Sequence, residues 1–293
     1  MGRAKLLCGA IVACCYSVIA YVLLGWNSPA SSTIAAREAM VRRLSCIYCP
    51  LILGGSNSIF GVRARVLDED VALDKGALHF VNLSLWKEGF SFRNYYAWLS
   101  RIAQKPSLVI YSSAKVYSLG WPPDTDNESQ RLDGEPVISA FASERLFTRV
   151  IGKSTPLEFD AYGDLANYNC SASMTPVEYK RFDDRAAERF VSNVRALQQL
   201  YADTPIFLRM PPAYISAAQR QDWVHYFYLL KQYFQRNKVD GLVLDFMPRL
   251  LVTKERFCDS PYHVKRDFSE VLSHELANQI IARAPNLAAA AGP

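Results

Sequence analysis

Short apolar runs alternate with longer stretches of helical periodicity along most of the chain after residue 44. Ala77-Leu78-His79-Phe80-Val81-Asn82, Ser107-Leu108-Val109-Ile110-Tyr111, Pro205-Ile206-Phe207-Leu208-Arg209 and Gly241-Leu242-Val243-Leu244-Asp245 have the length and composition of buried strands. Pro50-Leu51-Ile52-Leu53, entered from Ile47 and Tyr48, reads as the strand that opens the domain. Helices are predicted near 92–104, 183–201, 216–237 and 266–282, where apolar residues recur every three or four positions. This alternation predicts a mostly parallel sheet covered by helices. It breaks over about 120–180, where Pro122-Pro123-Asp124-Thr125-Asp126 and Tyr162-Gly163-Asp164 predict an irregular insertion or lid. Its aromatic, Asp and Asn content suits contact with a sugar, and equally a solvated loop region.

The N-terminal pattern is different. Leu6 to Trp26 is almost unbroken apolar sequence preceded by Arg3 and Lys5. About twenty such residues span the hydrocarbon of a bilayer as a helix, and the preceding positive charges stay cytoplasmic. Residues 1–26 are therefore expected to be a cytoplasmic N-terminus and transmembrane anchor, with the rest of the chain translocated. Residues 27–44 are expected to form a juxtamembrane linker with a short helix, and 45–293 the main domain. A cleaved secretory signal is the rival reading, since Ser28-Pro29-Ala30-Ser31-Ser32 supplies small residues. Ile11-Val12-Ala13-Cys14 resembles a lipoprotein cleavage box, but the residues after Cys14 stay apolar.

A length of 293 residues suits one large α/β domain plus the anchor. The 50% hydrophobic content, slightly raised by the apolar N-terminus, and 21% charged residues are those of a globular protein rather than a disordered one. A net charge of +5 would suit an anionic lipid or polymer. The basic residues are scattered and no run of them is interleaved with aromatics, so nucleic acid is not an expected partner. Of the seven cysteines, Cys46, Cys49, Cys170 and Cys258 lie outside the apolar segment, in a compartment that permits disulfides. Their pairing is left open. Cys46 and Cys49 form a C-x-x-C that suits redox or zinc chemistry, but the strand residues around it favour a structural role.

Candidate chemistry lies at the two ends of the domain. Leu51-Ile52-Leu53-Gly54-Gly55-Ser56-Asn57-Ser58 runs from a strand through two glycines into a serine. The carboxyl ends of parallel strands are where ligands bind, and glycines there allow a sharp turn into the crevice. Ser56 is therefore a candidate nucleophile, although Gly-Gly-Ser-Asn is also ordinary turn chemistry. Near the other end, Asp259-Ser260-Pro261-Tyr262-His263 places a carboxylate and an imidazole in one loop before the last helix. A serine hydroxyl needs a base to take its proton, and the base works best when a carboxylate holds its other nitrogen. Of the four histidines, His79, His225 and His274 lie within predicted strands or helices, which leaves His263 with a nearby loop Asp. No metal or cofactor is required by this set.

Gly54-Gly55-Ser56-Asn57-Ser58 together with the distant Asp259-to-His263 segment resembles the SGNH/GDSL hydrolase superfamily, in particular its membrane-anchored bacterial branch associated with exopolysaccharide and cell-surface O-acetylation. The resemblance implies a flavodoxin-like three-layer α/β/α fold and a Ser56–His263–Asp259 triad. It also implies an oxyanion site built from the nucleophile's N–H, a glycine after the second strand and an asparagine after the third. Asn82 and Gly89 follow the second strand, but the third delivers Ser112-Ser113-Ala114-Lys115 where Gly-x-Asn would stand, and the Asp-to-His interval is one residue longer than usual. Ser112 or Ser113 is then a candidate donor, and Asn82 either a donor or a brace for the Ser56 loop. The implied partners are an acyl donor, a polysaccharide acceptor, the inner membrane and other polysaccharide-modification proteins, with the domain in the periplasm or exterior. Two alternatives are carried: a catalytically weak carbohydrate-binding or scaffold protein, and a thiol redox protein using Cys46 and Cys49.

Overall fold

The computed structural model describes residues 36–42, 48–72, 79–85, 92–100, 105–118, 158–166, 170, 174–239, 242–245 and 248–283. The expected membrane span, Cys46, Gly89 and most of the predicted insertion lie outside these residues. Among the described residues, no helix is long and apolar enough to cross a membrane.

The strands in chain order are β1 (Leu51–Gly54), β2 (Val81–Asn82), β3 (Val109–Ser112), β4 (Ile206–Arg209), β5 (Ala213–Tyr214), β6 (Leu242–Asp245) and β7 (Leu250–Leu251). Five of them form one sheet in the order β2-β1-β3-β4-β6, and every pairing in it is parallel. Counting those five alone, the order is 2-1-3-4-5, the flavodoxin-like arrangement with its topological switch between β1 and β3. β5 and β7 pair in a small second sheet, which the hydrophobic pattern had not indicated. The helices are α1 (Ser56–Gly61), α2 (Ala64–Ala72), α3 (Phe92–Leu99), α4 (Asp184–Leu200), α5 (Arg220–Arg236) and α6 (Arg266–Arg283).

The alternation of side chains along each strand divides the core. Leu51, Leu53, Val109, Tyr111, Ile206 and Leu208 pack with buried residues of α3, α4 and α5. Ile52, Ile110 and Phe207 point the other way, against Leu67 and Val71 of α2 and Leu276, Ala277 and Ile280 of α6. A sheet buried on both faces needs apolar residues at successive positions, which is why its strands read as continuous runs. The result is three layers, α/β/α. On its buried face α6 carries small residues, Ser269, Ser273 and Ala277, between larger ones. The Ser273 hydroxyl accepts from the Arg63 backbone N–H at 2.9 Å and donates to the Ser269 carbonyl at 2.7 Å.

β2 lies at an edge of the sheet, where unpaired backbone groups need cover. Residues 158–166, the described part of the predicted insertion, supply it: the Asn82 N–H donates to the Tyr162 carbonyl at 2.9 Å. Asp160 closes this segment by accepting from the N–H groups of Tyr162 and Asp164, each at 2.9 Å. Asp164, wholly buried, accepts from the Ala64 and Arg65 N–H groups at 2.7 and 3.0 Å and so caps α2. Arg63 lies 3.8 Å from it and donates to the Leu165 carbonyl at 2.8 Å. The helical residues 36–42 dock on the same segment through Arg37, which donates to the carbonyls of Gly163 and Ser84 at 2.8 and 3.2 Å and lies over the Phe159 ring. Burial pulls the Arg37 guanidinium down to about 10, against the opposing charge of Asp164.

Asp164→Ala removes a helix cap and the carboxylate facing a buried arginine. The expected loss is about 3–5 kcal/mol, read as a lower midpoint in urea unfolding. A change below about 1 kcal/mol would mean that the buried pair contributes no more than a surface one.

Candidate active site

Ser56 is the first residue of α1, directly after the β1 turn, at the carboxyl end of a central strand and beside the β1/β3 switch. His263 and Asp259 come from the loop that enters α6. The three meet in a line: Ser56 Oγ is 2.8 Å from His263 Nε2, and His263 Nδ1 is 2.7 Å from Asp259 Oδ1. Both contacts are satisfied when Nδ1–H donates to Asp259 and Nε2 accepts from the serine hydroxyl, the tautomer a general base needs. His263 is 6% exposed, so its ring is shielded while Ser56 and Asp259 stay partly open.

The loop that carries Asp259 and His263 is pinned along its length. Phe257 and Val264 form an antiparallel bridge, and the Cys258 N–H donates to the His263 carbonyl at 2.7 Å. A turn lies between Asp259 and His263, in which the His263 N–H donates to the Ser260 carbonyl at 3.2 Å and the Tyr262 N–H to Ser260 Oγ at 3.3 Å. From outside, the Tyr214 N–H of β5 donates to the Pro261 carbonyl at 2.9 Å. A disulfide joins Cys258 to Cys170. Tyr262 packs on Tyr117, and burial pushes its phenol up to about 12.

The imidazole is also held from its face. Phe60, 4% exposed and one turn beyond Ser56 on α1, stacks on His263 with ring centroids 4.2 Å apart and planes 3° from parallel. One short helix thus presents the hydroxyl and supports the ring it contacts. Residue 60 drew no attention in the sequence, although its spacing of four from Ser56 would place it on the same helical face once α1 is known.

The β1 turn depends on glycine. Gly54 has φ +146°, and a Cβ there would lie 1.9 Å from the Ser112 carbonyl oxygen. Its N–H donates to the Tyr95 hydroxyl at 3.2 Å, which donates to the Leu83 carbonyl at 3.2 Å. The next residues stitch α1 to the end of β3. Asn57 Nδ2 lies 3.3 Å from the Ser112 carbonyl and 3.2 Å from Ser112 Oγ, and Asn57 Oδ1 accepts from the Ala114 N–H at 3.1 Å. Ser58 Oγ donates to the Ser112 carbonyl at 2.8 Å.

Of the oxyanion candidates, Asn82 is otherwise engaged. Its Nδ2 donates to the carbonyls of Ser58 and Val62 at 3.4 and 3.3 Å, and its Oδ1 accepts from the Ser84 N–H at 3.1 Å. It braces the far end of α1. Ser113 Oγ accepts from the Lys115 N–H at 3.2 Å and caps the turn after β3. Ser112 is buried beside Asn57. Gly89 lies outside the described residues. Among the described residues, no group of three or more His, Cys, Asp or Glu could hold a metal ion. Cys49 is disulfide-bonded as well.

No family model matches the chain, and no curated protein sequence matches it. Among solved structures, it is similar to a lipase/acylhydrolase from Enterococcus faecalis at 13% identity and a TM-score of 0.42, covering 80% of this chain and 96% of that one. The functional reading therefore rests on the geometry of the site itself.

Two substitutions test that geometry. Gly54→Ala should lower stability by at least about 2 kcal/mol and abolish turnover, because β1 and β3 must part to admit the methyl group. Cys170→Ser should lower stability by about 2–4 kcal/mol in thermal unfolding, and lower kcat through the loosened Asp259–His263 loop. An unchanged kcat would show that the other anchors hold the loop without the disulfide.

Proposed function

We propose that this chain is a serine-dependent esterase or O-acyl transferase of the SGNH/GDSL kind, working through an acyl-enzyme on Ser56. The observation that carries the proposal is the unbroken contact from Ser56 Oγ through the His263 ring to Asp259. His263 takes the Ser56 proton as Oγ attacks the acyl carbonyl, Asp259 steadies the resulting imidazolium, and His263 returns the proton to the leaving oxygen. Water or a sugar hydroxyl then enters by the same route and releases the acyl group. Transfer and hydrolysis use the same three residues and differ in whether water is kept from the acyl-enzyme.

The wider setting follows from the sequence. The apolar segment from Leu6 to Trp26 after Arg3 and Lys5 supports a single-pass anchor in a bacterial inner membrane, with the domain on the periplasmic or exterior side. That placement, together with the resemblance of the two end motifs, favours acetyl as the acyl group and a cell-envelope or secreted polysaccharide as acceptor. A second reading, a catalytically weak carbohydrate-binding or scaffold member of a polysaccharide system, draws on Ser112-Ser113-Ala114 in place of Gly-x-Asn and on the engaged Asn82 amide.

The full-length chain in detergent, given p-nitrophenyl acetate, should release p-nitrophenol with a burst. Ser56→Ala and His263→Ala should each lose at least about 10³-fold in kcat/KM, and Asp259→Asn about 10³-fold or more. Candidate oligosaccharides added to the wild type then separate transfer from hydrolysis by the mass of the acetylated product. Equal rates in the wild type and all three variants would favour the scaffold reading.

A further inference from the structure

We infer that Phe60 is a positioning residue for the reaction: the face of its ring stabilises the imidazolium that His263 becomes when it takes the Ser56 proton. The inference rests on the acyl-enzyme reading of Ser56 and deepens it, because it assigns a group to the charge that appears on the base rather than on the substrate. The Phe60 and His263 rings lie 4.2 Å apart between centroids and 3° from parallel, with 4% and 6% of the two residues exposed. A phenyl ring laid flat on an imidazole meets it with its negative face.

The His263 ring is engaged in two directions. At its nitrogens, Nδ1 meets Asp259 at 2.7 Å and Nε2 meets Ser56 at 2.8 Å. Perpendicular to the ring plane, the Phe60 ring covers a face. Apolar packing alone would be served by any side chain of similar volume. The parallel arrangement adds what a leucine lacks, a quadrupole that attracts a cation within about 6 Å and does so more strongly as water is withdrawn.

The platform is itself held. Phe60 shares a buried cluster with Ile59 of the same helix, Leu165 of the inserted segment and Cys258, and the partly buried Phe159 packs against that cluster. Cys258 directly precedes Asp259 and is tied to Cys170 by the disulfide. Arg37 lies over the Phe159 ring, 4.1 Å from its centroid. Phe60 also stands about one helical turn from Ser56 on α1, so the nucleophile and the support for its base move together. A ring fixed in this way is in place before the charge forms and needs no reorganisation when it does.

In the step this serves, Ser56 Oγ bonds to the acyl carbon, the hydroxyl proton passes to His263 Nε2, and the carbonyl π pair moves onto oxygen. His263 is then a cation, and Asp259 balances most of its charge. On collapse the pair returns, the carbon–leaving-oxygen bond breaks, and the leaving oxygen takes the proton from Nε2, which leaves the ring neutral again. The attraction of the Phe60 face is therefore stronger in the transition state than in the ground state, the condition for it to raise kcat. Its size is that of a desolvated cation–π contact, about 10-fold in rate, against about 10³-fold or more for Asp259.

The test uses the full-length chain in detergent with p-nitrophenyl acetate, measuring kcat and KM separately. Phe60→Leu is expected to lower kcat about 10-fold with KM nearly unchanged. Para-fluorophenylalanine and pentafluorophenylalanine, incorporated at position 60, keep the shape of the ring but weaken and then reverse the charge of its face. The first is expected to keep kcat close to wild type and the second to lower it at least to the leucine level, both at an unchanged melting temperature. Wild-type kcat with pentafluorophenylalanine would overturn the inference, since packing would then be the whole of the role. Phe60→Leu within about 2-fold of wild type would overturn it as well. Should the leucine variant not fold, the two fluorinated rings decide the question alone. A failure of the inference with Ser56→Ala inactive leaves the serine mechanism standing, whereas a fully active Ser56→Ala would overturn that mechanism and this inference with it.

Discussion

A hydroxyl and an imidazole 207 residues apart in the chain come within 2.8 Å of each other, and the packing of α6 against α1 and α2 fixes that distance. Ser56 belongs to α1 and His263 to the loop that leads into α6. Any rotation between these helices would open the contact. Ser269, Ser273 and Ala277 let α6 approach closely, and the Arg63–Ser273 bond ties the start of α2 to it. The Phe60–His263 stack extends the same interface to the reacting groups. Core packing and the geometry of the Ser56–His263 contact are one set of contacts here, because protein interiors transmit small displacements rather than absorb them.

The polar cluster on the other side of α2 serves that interface at a distance. Asp164 caps α2 beside Arg63, and the same segment covers the exposed side of β2. Removing both charges from water costs several kcal/mol per ion, of order what a good pair recovers. The net gain is therefore registry more than stability. Asp164 determines where α2 begins, and with it the surface that α6 meets. Arg37 brings residues 36–42 into the same cluster, so the segment expected to leave the membrane is folded onto the domain rather than hanging from it.

Much of the sheet was legible because strands buried on both faces must be apolar at consecutive positions. The runs at Leu51, Val109 and Ile206 announce themselves for that reason. Ser56, Asp259 and His263 could be picked out as candidates because two glycines before a serine mark a turn and one loop holds both an imidazole and a carboxylate, and the structure brings the three into contact. α2 was not read: Ala64, Val66, Leu67 and Val71 are its buried residues, spread among Arg65, Asp68, Glu69 and Asp70. The cap that starts it comes from Asp164, 100 residues away. The roles of Asn82, Asn57 and Phe60 were hidden in the same way, since each depends on a contact between segments that local sequence does not pair. Asn82 shows the difficulty well, because an asparagine at a strand end looks alike whether it faces a substrate or closes a helix.

The central claim is that Ser56 is the nucleophile. The most direct measurement is peptide mapping of the full-length chain after reaction with a fluorophosphonate, whose phosphorus stays on the attacking oxygen. The account predicts one modified peptide containing Ser56, with labelling lost in His263→Ala. A label on another residue, or an unlabelled wild type, would contradict it.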